Sequence, residues 1–447
     1  MTSGAQHQAV QNEQGLRRQL SATQQITMAL GGAIGTGLFL ASGLSVGVAG
    51  PAIIISYVIV AGISLLLARA LTEMAVAHPT AGSFGVYAGI YISPFAGYAV
   101  RVSYFLMEVI ATGAQLVAAS IYMAYWFPSV PGAVWVLAFA VMLLYSNSRA
   151  VERLGAIEYW LVLIKVVAVA VFVGVAILVV SGLTGDTGIG LRNVTGHGGF
   201  MPFGASGVWL GTCFVIFSFI GVEIVGVTSG EASEPARTIP AAMRRMVLIL
   251  SSIYIVTITL LMALTPWNEL GVGESPFVTV LARLGIPGAA GLMNFVVLSA
   301  ALSSSNANLY LMSRTLFSLA RAGFVSPKLG AISPRGAPLN ALLVAGLGLG
   351  AAVLIRALWP DSAYVWFFGI ALFGALFVWL MIFVTHIAFC APAIPLTSWA
   401  GAALVGGILV STWWAPGLRS TLVAGGPWLA LLAVGYWLSR RPRALRS

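Results

Sequence analysis

Long apolar stretches, separated by short polar ones, fill the chain from residue 24 to residue 439. A helix needs about 20 apolar residues to cross the hydrocarbon of a bilayer. Stretches of that order lie near 24–46, 51–76, 97–126, 132–147, 157–181, 207–229, 246–265, 289–320, 338–358, 363–388, 396–413 and 421–439. They predict twelve transmembrane helices. The alternating segments of about ten residues that mark a transmembrane barrel are not seen. Backbone polar groups in hydrocarbon must be satisfied within helices, so the expected class is an all-α polytopic membrane protein.

Composition agrees. Of 447 residues, 59% are hydrophobic and 8% charged, where a soluble domain carries about 25% charged residues. Mean hydropathy is +0.98. The net charge of +10 is a matter of sidedness. With both termini cytoplasmic, one side receives Arg17, Arg18, Arg69, Arg101, Arg149, Arg153, Arg237, Arg244, Arg245, Arg314, Arg321, Lys328, Arg335, Arg440, Arg441, Arg443 and Arg446. The other receives only Arg192, Arg283, Arg356 and Arg419. Such a bias sets orientation in a bacterial-type inner membrane by the positive-inside rule. No soluble domain is left to carry a basic stripe, so nucleic acid is not an expected partner. The polar opening does not read as a cleavable signal peptide. Cys213 and Cys390, both in or beside apolar segments, argue against a disulfide framework and against a metal site.

Interrupted membrane helices at matching places in two halves point to a transporter's binding site. The first segment contains Gly31-Gly32-Ala33-Ile34-Gly35-Thr36-Gly37, and the sixth reads Phe217-Ser218-Phe219-Ile220-Gly221-Val222-Glu223. Each glycine costs a helix interior about 1 kcal/mol relative to alanine. Close helix packing is the alternative for the first run, since Gly31 and Gly35 form a small-residue pair. A break in segments five apart instead fits an inverted five-plus-five repeat with two helices outside it. The expected organisation is a cytoplasmic tail 1–23, a first repeat 24–181, an extracytoplasmic loop 182–206 and a second repeat 207–390. Helices 11 and 12 follow in 391–439, then a basic cytoplasmic tail 440–447. Breaks of this kind suit a zwitterion: N–H groups at Gly35, Thr36 and Gly37 face a carboxylate, and carbonyls ending the preceding half-helices face an ammonium group.

Charges at membrane depth cost on the order of 3 kcal/mol each and need a reason. Arg69, Glu73, Arg101 and Arg314 sit near segment ends, where water is in reach. Lys165 is deeper, and is read as a proton carrier, as a fixed charge, or as a lysine snorkelling to the interface. Glu158, two turns earlier, is either its partner or solvated. Glu223 braces the second break, contacts substrate or carries a proton. Glu108 is read as a polar contact between helices. Ser303 and Ser304 face Lys165 or an ion, or bond their own backbone. The four histidines are scattered, no cofactor motif appears, and the tails are too short for a signalling domain, so an enzyme and a sensor are both disfavoured.

These residues resemble a known family. Arg18-Gln-Leu-Ser-Ala, then Ala29-Leu-Gly-Gly-Ala-Ile-Gly-Thr-Gly-Leu-Phe-Leu, is similar to the opening of bacterial amino acid permeases of the amino acid–polyamine–organocation superfamily. So are Pro79-Thr-Ala-Gly-Ser-Phe, Gly155-Ala-Ile-Glu-Tyr-Trp, the run from Phe217 to Thr228, Glu231-Ala-Ser-Glu-Pro and Ser313-Arg-Thr-Leu-Phe-Ser-Leu-Ala. The resemblance implies a leucine-transporter-like fold, alternating access and proton-coupled uptake of an α-amino acid, with exchange as the alternative. It implies that Gly35, Thr36 and Gly37 receive the carboxylate, with Ile34 beside them in the substrate site, and that the backbone at Phe217, Ser218 and Ile220 receives the amine. Phe217 and Glu231 are implied as gate residues, and Lys165 as the lysine standing in for sodium. The chain departs in having Gln115 where many members carry a carboxylate, which leans toward a neutral substrate. It also lacks the usual basic cluster after helix 10. Which amino acid is carried, and the oligomeric state, stay open.

Overall fold

The structure, a computed structural model, describes residues 21–80, 82–148, 151–183, 190–271, 273–331 and 339–444; for 151–158, 341 and 440–444 it describes the backbone alone. The tails expected at residues 1–20 and 445–447 therefore lie outside the described residues. Every long regular element described is a helix. In chain order they are α1 Ala22–Ala33, α2 Thr36–Phe39, α3 Ala41–Ala49, α4 Ile53–Ala77, α5 Ser83–Tyr91, α6 Pro94–Ala124 and α7 Gly132–Ser148. Then come α8 Val151–Val180, α9 Arg192–Thr195, α10 Gly204–Val215, α11 Ile224–Val227, α12 Pro235–Leu264 and α13 Pro276–Arg283. The last five are α14 Ala289–Arg321, α15 Leu339–Leu358, α16 Ala363–Cys390, α17 Leu396–Ser411 and α18 Arg419–Ala444.

Local sequence sets the helix starts. Ser21 and Gln24 form a reciprocal capping box at α1, which satisfies two N–H groups the helix itself cannot. Ser93 accepts from the Ala96 N–H at 3.1 Å and Pro94 opens α6, where its missing N–H costs nothing.

Eight helical stretches among the described residues are long and apolar enough to cross a membrane, and three shorter apolar helices accompany them. Large apolar side chains stand exposed on the outer helices, such as Leu347 at 79% and Leu396 at 75%. A surface of that kind is stable only against lipid or another apolar partner.

The core forms where α6 packs on α14 and α16, and α4 on α12. The broken segments α1–α2 and α10–α11 lie inside this frame. Four charges near segment ends differ from one another in setting. Arg69 and Glu73 are exposed to water in an ion pair. Arg101, expected to reach water, is buried instead: Ser318 accepts its Nε–H at 2.8 Å and the Gly97 carbonyl accepts from Nη1 at 3.2 Å. Arg314 is also mostly buried, beside Glu231.

Candidate functional site

The first helix stops at Ala33. Ile34 (φ −79°, ψ 88°) and Gly35 (φ −141°, ψ −147°) are non-helical, and the helix resumes at Thr36. The interruption is held from several directions. Lys165 Nζ donates to the Gly31 carbonyl at 2.7 Å. Ser304 Oγ reaches the Gly31 and Ile34 carbonyls at 3.0 and 3.2 Å. Tyr254 donates to the Ala33 carbonyl at 2.8 Å, and Tyr364 to that of Thr36 at 3.4 Å. The Thr36 N–H is taken by Gln115 Oε1 at 3.2 Å. Carbonyls freed by a break must find partners when buried, and α8, α12, α14 and α16 each supply one.

The second break follows α10. Ile216–Phe219 tightens into a 3-10 turn, Ile220 leaves the helix at ψ 131°, and Gly221 adopts φ +113°. That backbone favours glycine. Glu223 folds back so that both carboxylate oxygens accept from the Gly221 N–H at 3.1 Å, and Trp379 Nε1 donates to Oε2 at 3.2 Å.

The two breaks touch. A Cβ on Gly37 would come within 2.7 Å of Ser218 Cα, one on Gly32 within 2.5 Å of Ile224 Cδ1, and one on Gly221 within 3.0 Å of Ala33. Between them lies a small, partly open cavity of about 20 Å³, lined by Gly37, Gln115, Phe217, Ile220, Glu108 and Asn308 among others. The Phe217 ring packs against Phe368 with centroids 4.2 Å apart. Beyond the break, Glu231 accepts from Tyr310 at 2.8 Å and from Arg314 Nε at 3.2 Å. Ser229 bonds the Thr80 carbonyl and Gln25 that of Thr228, so this segment is tied to three other parts of the chain.

A profile of the amino acid permease family matches residues 24–445. The chain belongs to that family. It is 35% identical over 441 residues to the uncharacterized amino acid permease YtnA of Bacillus subtilis, covering 95% of each chain. It is 35% identical to the aromatic amino acid transport protein AroP of Escherichia coli K12, covering 98% of this chain and 97% of that one. The gamma-aminobutyric acid permease of B. subtilis is 35% identical over 84% of this chain and 81% of its own length. The family is one of membrane transporters, and its members are not enzymes.

In this permease the residues singled out by sequence mostly converge. Ile34, Gly35, Thr36, Gly37, Gln115, Phe217, Ser218 and Ile220 meet at the crossed breaks, and Glu223 sits directly beneath the second. Lys165, buried to 0% exposure, and Ser304 share one carbonyl, with Ser303 buried beside them. Lys165 therefore points inward and does not snorkel. The Glu158 side chain lies outside the described residues.

Glu108 makes the expected polar contact between helices and also faces the cavity. The Asn308 amide, oriented to satisfy both neighbours, donates to Glu108 Oε2 at 3.1 Å and to the Ser304 carbonyl at 3.0 Å. The depth of Glu108 was a usable signal in the sequence. Tyr254, Tyr364, Phe368 and Trp379 carried no such signal, because tyrosines and tryptophans are common in membrane helices.

Proposed function

We propose that this permease imports an α-amino acid with a neutral side chain by proton symport through alternating access. In this reading it spans a bacterial inner membrane twelve times with both termini cytoplasmic. Residues 24–181 and 207–390 form inverted five-helix repeats, residues 182–206 an external loop and 391–439 two added helices. The observation that carries the reading is the meeting of the Lys165 ammonium and the Ser304 hydroxyl on the Gly31 carbonyl at the first break. A charged donor in that place holds the end of α1 as a bound cation would. Loss of its proton weakens a charge-assisted bond to an ordinary one and frees α1 to move, which couples protonation to the site. The substrate carboxylate takes the N–H groups at Gly35–Gly37 in place of Gln115 Oε1. The ammonium group takes carbonyls of the unwound stretch around Phe217–Ile220. Phe217 and Glu231 close the site on its two sides.

Gln115 is neutral and stands on the Thr36 N–H, which supports a neutral substrate. Glu108 favours a second reading. It lines the cavity, and no ion pair among the described residues includes it. An amine at the far end of a substrate would find its partner there.

Uptake of a panel of radiolabelled amino acids into proteoliposomes, with and without an inward proton gradient, tests both. Accumulation of a neutral amino acid only under the gradient supports the first reading. Accumulation confined to substrates with a distal amine supports the second. Uptake that requires internal amino acid makes the protein an exchanger, and no uptake of any panel member sinks the assignment.

A further inference from the structure

Where α4 and α16 end, far from the crossed breaks in sequence, three groups that can bind metal come together. Glu73 Oε2 lies 2.9 Å from His386 Nε2, and Cys390 Sγ lies 3.6 Å from the same nitrogen. The three ligand atoms fall within 4.8 Å of one another. A tetrahedral zinc ion, with bonds of about 2.0–2.1 Å to nitrogen and oxygen and about 2.3 Å to sulfur, separates its ligands by about 3.3–3.6 Å. The Sγ–Nε2 distance is of that size, but Sγ also lies 3.8 Å from Nδ1 and so stands over the face of the ring, from which it must swing to the side of Nε2. Seating an ion asks the His386–Glu73 pair to part by a few tenths of an ångström, and the thiol to turn toward the carboxylate.

The surroundings support the same geometry. His386 and Cys390 are four residues apart and so share a face of α16. Ser398 Oγ holds His386 Nδ1 at 2.8 Å, the outer contact that fixes a ligating imidazole with its other nitrogen on the metal. Arg69 Nε occupies Glu73 Oε1 at 3.1 Å and leaves Oε2 to the site. Glu73 is 41% exposed while His386 is 3% exposed, so an ion has an entry path and a buried anchor.

We propose that Glu73, His386 and Cys390 bind a divalent cation of the zinc class, with the fourth position left to water. A thiolate, an imidazole and a carboxylate are the donor types such an ion prefers, and the two anionic ligands balance its charge. The two-cysteine count argued against a metal because it could not show that residue 386 meets residue 73, 313 positions away. A bound ion clamps α4 to α16 and, through Ser398, to α17, so its occupancy restrains any movement between these helices.

The test uses the purified full chain, freed of any histidine tag and stripped with a chelator, titrated with Co²⁺ and with Zn²⁺. One ion per chain is expected, with a sulfur-to-cobalt charge-transfer band. Cys390→Ser abolishes the band and weakens binding by roughly tenfold or more, while Cys213→Ser changes neither. His386→Gln is expected to weaken binding likewise, but it also loses structural bonds, so Cys390→Ser decides. Binding that is absent in the wild type, or unchanged in Cys390→Ser, overturns the proposal. Neither result depends on which solute the permease carries.

Discussion

The two breaks at the centre of the molecule are stabilised in different ways. The second is satisfied almost locally: Glu223 reaches back two residues to the Gly221 N–H, with Trp379 as its outside partner among the described residues. The first has no such device. Its carbonyls are held by Lys165, Ser304, Tyr254 and Tyr364, and its N–H by Gln115, all from distant parts of the chain. A break whose partners sit on five other helices is sensitive to how those helices move, whereas a self-bonded one moves as a unit. The proposed link between conformation and protonation would therefore act at the first break.

The largest effect is expected where the breaks touch. Gly37→Ala places a Cβ 2.7 Å from the Ser218 backbone, which cannot yield as a side chain tip would. Overpacking costs about 1–3 kcal/mol, so transport should fall roughly ten- to hundredfold in protein that still inserts; near-normal uptake would show that the breaks do not need this approach. Lys165→Ala comes next. It removes a charged donor from a buried carbonyl, a loss of about 1.5–3 kcal/mol. Gradient-driven uptake should fall by roughly tenfold or more while exchange of internal for external substrate falls less.

Glu223→Gln tests the local break and should do less. One oxygen still accepts from Gly221, so a change of about 1 kcal/mol should lower the melting temperature by about one degree and leave gradient dependence intact. A loss of proton coupling in Glu223→Gln as severe as in Lys165→Ala would erase the difference between the two breaks. The smallest effect is expected from Gln115→Glu. A carboxylate beside the proposed substrate carboxylate should raise KM a few-fold without altering kcat, by like-charge repulsion; a KM that falls would place the substrate elsewhere.

The break sites were legible because glycine density and buried charge are local signals. Gly31–Gly37 and Phe217–Glu223 show where helices fail, and Lys165 stands out against an apolar background. Their partners were not legible. Trp379 meets Glu223 across 156 positions and Tyr364 meets Thr36 across 328, and nothing in a run of membrane aromatics says which one turns inward. Arg101 misled in the opposite direction: its place near a helix start suggested water, yet the fold supplies Ser318 and the Gly97 carbonyl. Glu108 does make the polar contact between helices that its sequence suggests, through Asn308 of α14, but its place on the cavity wall is set by the fold and leaves no local mark.

The most direct test of the account is accumulation of a neutral amino acid in proteoliposomes, comparing wild type with Lys165→Ala, each with an inward proton gradient and after a protonophore collapses it. The account predicts accumulation by the wild type only while the gradient lasts, and roughly tenfold less or lower still by the variant, which still exchanges substrate. Accumulation by Lys165→Ala at the wild-type level that still follows the gradient would contradict the claim that coupling acts through the Lys165–Gly31 contact.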